Sequence, residues 1–173
     1  MTSIIFPGQG SQFLGMTKDF FDNFIIAKDT ITEIEDTTNM DIKKIIFGSD
    51  DNILNTTNIT QVSIFAASMS IYRTLEKNFD FQNLNINNML GHSLGEYSAL
   101  ASSKSLTVSQ ASSLLKKRGE LMNSAIEPNT TNMAALIGLS CENVMQIIKN
   151  KNLNVEIAND NSPLQIVISG SNN

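Results

Sequence analysis

Residues 91–95 read Gly-His-Ser-Leu-Gly, with a glycine two places to either side of a serine. That spacing suits a nucleophilic serine on a strained strand-to-helix turn, because the glycines leave room where strand and helix cross. Ser93 would then stand exposed at the positive end of the following helix. The pattern alone is weak and gains force only when a strand precedes it and a helix follows it. A hydroxyl nucleophile also needs a base to take its proton, and His92 is the only histidine in the 173 residues. Neighbouring side chains on such a turn diverge, so His92 is poorly placed to accept the proton of Ser93 Oγ. Packing and hydrogen bonding beneath the turn is its expected role.

Acyl chemistry at a serine further needs N–H donors aimed at the oxyanion, one from the residue after the nucleophile and one from a separate loop. Leu94 supplies the first. The loop Pro-Gly-Gln-Gly-Ser-Gln at residues 7–12 suits the second, since glycines flank Gln9 and let its backbone approach a ligand; an ordinary glycine turn is the alternative. On the segment around residues 109–125, Ala111, Leu114, Leu115, Leu121, Met122 and Ala125 form an apolar helical stripe that Arg118 completes. Burying an unpaired guanidinium is costly, so Arg118 must meet an anion. That anion is either a carboxylate of this protein, the commoner case for such a pattern, or one carried by a ligand.

The elements that would position these groups can be read from the pattern. Ser3–Phe6 is a short β-rich run stopped by Pro7-Gly8. Helical spacing runs over 15–37 and 41–47, and over 59–78, where Ile64, Ala67, Ser68, Ile71 and Leu75 share a face. A strand leads into the serine turn, a helix follows over Leu94–Ser103, and another runs over Val108–Ala125. Residues 126–132 read as a linker. Beyond it come a strand at Met133–Leu139, a helix capped by Ser140 with Val144, Ile147 and Ile148 inward, and strands near Val155–Ala158 and Leu164–Ser169. This β-α-β-β order is the start of a split β-α-β module that wants another helix and strand, so the chain is expected to end inside its second module.

Composition bounds the rest. With 41% apolar residues the chain can bury one sizeable core, giving one domain or one and part of another. A net charge of −5 with no lysine or arginine cluster argues against a nucleic-acid or anionic-membrane partner. The single cysteine, Cys141, excludes an internal disulfide, and one cysteine with one histidine makes no zinc site, so no metal and no cofactor are expected. The amino terminus lacks the basic start and long apolar run of a signal peptide, and no stretch approaches the roughly 18 apolar residues of a membrane span. A cytoplasmic protein is the expectation.

Phe-Pro-Gly-Gln-Gly-Ser-Gln at 6–12, Gly-His-Ser-Leu-Gly-Glu-Tyr-Ser-Ala-Leu at 91–100 and Lys-Lys-Arg-Gly-Glu-Leu-Met at 116–122, in this order and spacing, together closely resemble the malonyl-CoA:acyl carrier protein transacylases of fatty-acid synthesis and the related acyltransferase domains of polyketide synthases. The stretch around 157–170 is similar to that family's small subdomain. The resemblance spans essentially the whole chain. It implies an α/β fold: an α/β-hydrolase-like large subdomain over 1–127 and the first part of a ferredoxin-like small subdomain over 128–173. It also implies a ping-pong transfer in which Ser93 takes malonyl from malonyl-CoA and the pantetheine thiol of acyl carrier protein removes it. Arg118 would grip the malonyl carboxylate, Gln9 and Leu94 would form the oxyanion hole, and Asn159 would lie near the substrate channel.

In that family the base is a different, downstream histidine, which the resemblance puts beyond residue 173. Two departures stand out: Val62 replaces a proline in Thr-Gln-Val-Ser at 60–63, leaving that helix start less well specified, and Leu90 replaces a small residue before the turn. Two other readings remain. One is an inactive fragment or pseudoenzyme that only binds acyl-CoA or carrier protein. The other, a serine esterase, has no need of Arg118.

Overall fold

A computed structural model describes residues 1–79, 81–125, 127 and 130–172. The chain divides into two compact units, one of residues 1–123 and a second from Ser124 on.

The first unit is built around two parallel strands, β1 (Thr2–Phe6) and β2 (Ile86–Gly91), joined in register from Ser3↔Asn88 to Phe6↔Gly91. Between them run helices α1 (Lys18–Asn23), α2 (Ile25–Thr38), α3 (Ile42–Phe47), α4 (Asp51–Leu54) and α5 (Thr57–Asn78). After β2 come α6 (Gly95–Ser102) and α7 (Val108–Ser124). Parallel strands need a long crossover, and the helices supply it while covering one sheet face. Phe6 of β1 meets Tyr72 of α5 edge-on at 6.0 Å, and Tyr72 meets Phe81 likewise at 5.8 Å. Ile31, Ile34, Ile42, Ile46, Phe65 and Leu115 complete a core closed to solvent.

Helix α5 is the hub. It is buried nearly all round, from Thr60 to Ala67 and again at Met69, Ser70, Tyr72 and Thr74. Its threonines fit because their hydroxyls bond back along the helix, Thr74 Oγ1 to the Ser70 carbonyl at 2.6 Å for instance. Polar bonds tie neighbouring helices together: Arg73 on α5 pairs with Glu33 on α2 at 2.6 Å, and Ser109 on α7 donates to the same carboxylate at 3.1 Å. Lys116 on α7 donates at 2.7 Å to the Thr38 carbonyl that ends α2, a favourable place for a cation.

The second unit is an antiparallel sheet of β3 (Thr131–Ile137), β4 (Val155–Ser162) and β5 (Gln165–Ser171) in the order β3-β5-β4, with α8 (Cys141–Lys151) between β3 and β4. Ser140 caps α8 by accepting from the Asn143 N–H at 3.3 Å. Val144 and Ile166 are buried.

Several expectations need correction. Helical spacing over 15–37 is not one helix: Phe24 takes an extended conformation, φ −126°, and separates α1 from α2. The residues Ile64, Ala67, Ser68, Ile71 and Leu75 do share a face of α5, with Ile64 and Ala67 buried and the other three half-buried along the wall of an apolar groove of about 510 Å³ beside β1. Val62 is no helix start, since α5 begins at Thr57 and Val62 is fully buried inside it. On α7 the buried residues are Val108, Ala111, Ser112, Leu115 and Gly119, whereas Leu114, Leu121, Met122 and Ala125 are exposed. Ile147 is likewise exposed on α8. Of the expected linker over 126–132, residues 126, 128 and 129 lie outside the described residues, and Thr131 and Asn132 already belong to β3.

Candidate acyl-transfer site

The turn after β2 has the geometry a serine nucleophile requires. Ser93 lies in the left-handed region at φ 54°, a conformation that costs a non-glycine residue about 1–2 kcal/mol. Leu94 returns to φ −59° and ψ −26°, and α6 starts at Gly95. The flanking glycines are sterically required. A Cβ on Gly91 would fall 1.9 Å from the carbonyl carbon of Gly95, and one on Gly95 would fall 2.5 Å from the Phe6 carbonyl oxygen. Strand, turn and helix therefore approach backbone to backbone, and the crossing presses Ser93 outward.

His92 does not serve Ser93. Its backbone N–H extends the strand ladder to the Phe6 carbonyl at 3.3 Å, and its exposed ring lies against Gly8. The hydrogen bond expected beneath the turn is not made: the His92 ring has no hydrogen-bond partner among the described residues. Its contact with Gly8 does bring the loop of Gln9 alongside the turn.

Ser93 Oγ instead accepts from Arg118 Nη2 at 2.8 Å. Arg118, half-buried on α7, also donates through Nη1 to Gln61 Oε1 at 2.5 Å. Among the described residues no carboxylate pairs with this guanidinium, so the internal salt bridge, the commoner case for the pattern, is not what satisfies it. Its partners are two neutral oxygens. They orient the fork and leave its charge uncompensated among the described residues, an arrangement compatible with an anion beside the serine hydroxyl.

Leu94 and Gln9 are the residues expected to carry the backbone donors. Leu94 is fully buried, and its N–H has no acceptor among the described residues. In the loop after β1, Gly10 N–H donates to Gln12 Oε1 at 2.8 Å and Ser11 Oγ donates to the Gly8 carbonyl at 2.8 Å. These bonds staple the loop and leave the exposed Gln9 N–H without an acceptor among the described residues. Asn159 belongs to the second unit, exposed on β4 opposite Val167 of β5.

Sequence reasoning missed Gln61. A buried glutamine in the apolar run Val-Ser-Ile-Phe-Ala-Ala was the available signal, but its partner lies 57 residues away. Cys141, half-exposed at the start of α8, has its thiol pushed up by burial and by the Asp160 carboxylate. No group of three His, Cys, Asp or Glu among the described residues could hold a metal. None of the described helices is long and apolar enough to cross a membrane.

A strained serine with an open N–H behind it is the means by which serine enzymes of mixed α/β fold handle acyl groups, and the guanidinium at its oxygen suits an acyl group that carries an anion. The chain belongs to the acyl transferase domain family, whose pattern matches residues 4–173. It is 37% identical over 172 residues to the malonyl CoA-acyl carrier protein transacylase of Staphylococcus aureus, covering 98% of this chain and 54% of that protein. The crystal structure of the malonyl CoA-acyl carrier protein transacylase from Clostridium perfringens superposes with a TM-score of 0.87 at 36% identity, covering 98% of this chain and 53% of that one. A type II PKS acyl-carrier protein in complex with its malonyl-transacylase gives a TM-score of 0.88 at 36% identity, covering 98% and 55%. The chain spans about half the length of the curated relatives it matches.

Proposed function

We propose that this protein transfers a malonyl group from malonyl-CoA to the pantetheine thiol of acyl carrier protein, in fatty-acid synthesis, through a malonyl ester on Ser93. Ser93 Oγ attacks the thioester carbonyl, the C–S bond breaks, and coenzyme A leaves as its thiol with the proton given up by the serine. In the second half the carrier-protein thiol attacks the ester carbonyl and the C–Oγ bond breaks, returning the proton to Ser93. The N–H groups of Leu94 and Gln9 receive the oxyanion in both halves. Arg118 receives the malonyl carboxylate. The scaffold for this chemistry is an α/β-hydrolase-like subdomain over 1–127 with the beginning of a ferredoxin-like subdomain over 128–173, in a cytoplasmic protein.

The observation that carries the reading is the Arg118 guanidinium, 2.8 Å from Ser93 Oγ and bonded, among the described residues, only to neutral acceptors. A serine esterase gains nothing from a cation there, whereas an acyl group ending in a carboxylate does. The experiment is Arg118→Ala in the protein as its gene encodes it, with transfer of malonyl and of acetyl measured beside the melting temperature. Malonyl transfer should fall while acetyl transfer is equal or improved, so that selectivity inverts. Equal loss of both in a destabilised protein would remove the substrate-binding role.

One observation favours a second reading, that the 173 residues bind acyl-CoA or carrier protein without turning it over. The only partner of Ser93 Oγ among the described residues is a donor, and none of them contacts it as a base.

A further inference from the structure

We infer that Gln61 is a positioning residue, which holds the Arg118 fork in the orientation that receives a substrate carboxylate. This rests on the malonyl-transfer reading above and adds a residue to it. Gln61 is fully enclosed on α5. A glutamine amide has one acceptor and one donor group, and both are used inside the site. Oε1 accepts from Arg118 Nη1 at 2.5 Å, and Nε2 donates to Met122 Sδ at 3.3 Å. The two contacts fix which way the amide faces. Reversed, its NH2 group would confront the guanidinium donor to donor, and the thioether has no proton to offer Oε1. Residues 118 and 122 are one turn apart on α7, so a single helix grips both ends of the amide.

The choice of an amide at 61 has a chemical consequence. Glutamate would fill the same volume, but its charge would neutralise the guanidinium and close it to a ligand. Leucine would fill it too and would leave Nη1 without a partner. Glutamine alone of the three fixes the fork and leaves the full positive charge for a carboxylate. Because the remaining Arg118 N–H groups are aimed by this bond, loss of Gln61 should affect acyl groups that carry a carboxylate and spare those that do not.

The test uses the protein as its gene encodes it, with acylation of Ser93 by malonyl-CoA and by acetyl-CoA followed by intact-protein mass, alongside thermal melting. Gln61→Leu is expected to lower the malonyl-to-acetyl ratio about tenfold, with the change in KM for malonyl-CoA, as loss of one hydrogen bond to a charged group implies. Gln61→Glu should lower it further with acetyl transfer kept. Met122→Leu, at a half-exposed position tolerant of change, should shift the ratio in the same direction by a few-fold, and keeps the test alive if the buried variants fail to fold. Parallel loss of both substrates in step with melting temperature, with the ratio unchanged, overturns the role of Gln61 while leaving malonyl transfer intact. An unsubstituted protein that shows no preference for malonyl overturns the malonyl reading itself, and Gln61 with it.

Discussion

At Ser93, the residue proposed as nucleophile, the backbone is strained. With φ at 54°, an alanine there carries the same left-handed penalty as serine, whereas glycine does not. Both substitutions lose the bond from Arg118, so their difference isolates the strain. We expect Ser93→Gly to be about 1 kcal/mol more stable than Ser93→Ala by denaturant melting, the left-handed penalty less the backbone entropy of glycine. Equal stabilities would mean that the turn relaxes and stores nothing. Cys141 offers a pH-dependent check on the second unit. Burial and Asp160 raise its thiol above the ordinary value, so the fraction of thiolate at any given pH is smaller than in the unfolded chain. Alkylation near pH 8 should therefore be slower in native protein than in urea, with the native rate rising only at higher pH. Native and unfolded rates that coincide across that range would refute the Asp160 contact.

At the scale of elements, the site depends on how closely α7 lies against α5. A Cβ on Gly119 would fall 2.6 Å from the Asn58 Cα, a backbone atom that cannot turn aside. Gly119→Ala should cost about 1–3 kcal/mol as the helices are forced apart, and because Arg118 is the adjacent residue it should also weaken selection of malonyl. A variant as stable and as selective as the parent would show that the spacing is not what aims the guanidinium. The same elements show how far the sequence could be read. Strand, turn and helix around Ser93 were legible because glycines two residues either side are a local steric demand. Arg118 was legible as an outlier on an apolar stripe, but its partners were not, since Gln61 and Ser93 arrive from other elements. Periodicity grouped Leu114, Leu121 and Met122 on one face without saying what covers it, and they are exposed. On α5 the spacing marked the helix but not its surroundings, since helices on several sides bury most positions between Thr60 and Thr74. The break at Phe24 carries neither proline nor glycine and left no signal.

On the scale of the whole molecule, the first unit has apolar surface that a parallel sheet ordinarily covers. Ile5 and Leu90 are cross-strand neighbours and are 72% and 52% exposed. The apolar groove of about 510 Å³ beside β1, with Phe13 and Ile71 in its wall, adds to this surface. Parallel sheets are buried on both faces, and uncovered apolar faces and strand edges draw other chains. The 173-residue chain expressed by itself should therefore self-associate, and the double variant Ile5→Lys, Leu90→Lys should reduce that association without loss of helical signal. A monomer in sedimentation that melts cooperatively would contradict this.

The central claim, that Ser93 carries the acyl group between two thiols, is tested most directly by trapping and discharging it. The protein as its gene encodes it is incubated with malonyl-CoA, freed of excess reagent, digested and mapped by mass, and a second portion is treated with the pantetheine-bearing form of acyl carrier protein. The account predicts one malonyl group on the peptide containing Ser93, removed by the carrier-protein thiol and recovered on it, and absent altogether in Ser93→Ala. An adduct that persists in Ser93→Ala, or one on Ser93 that the carrier-protein thiol does not remove, would contradict it.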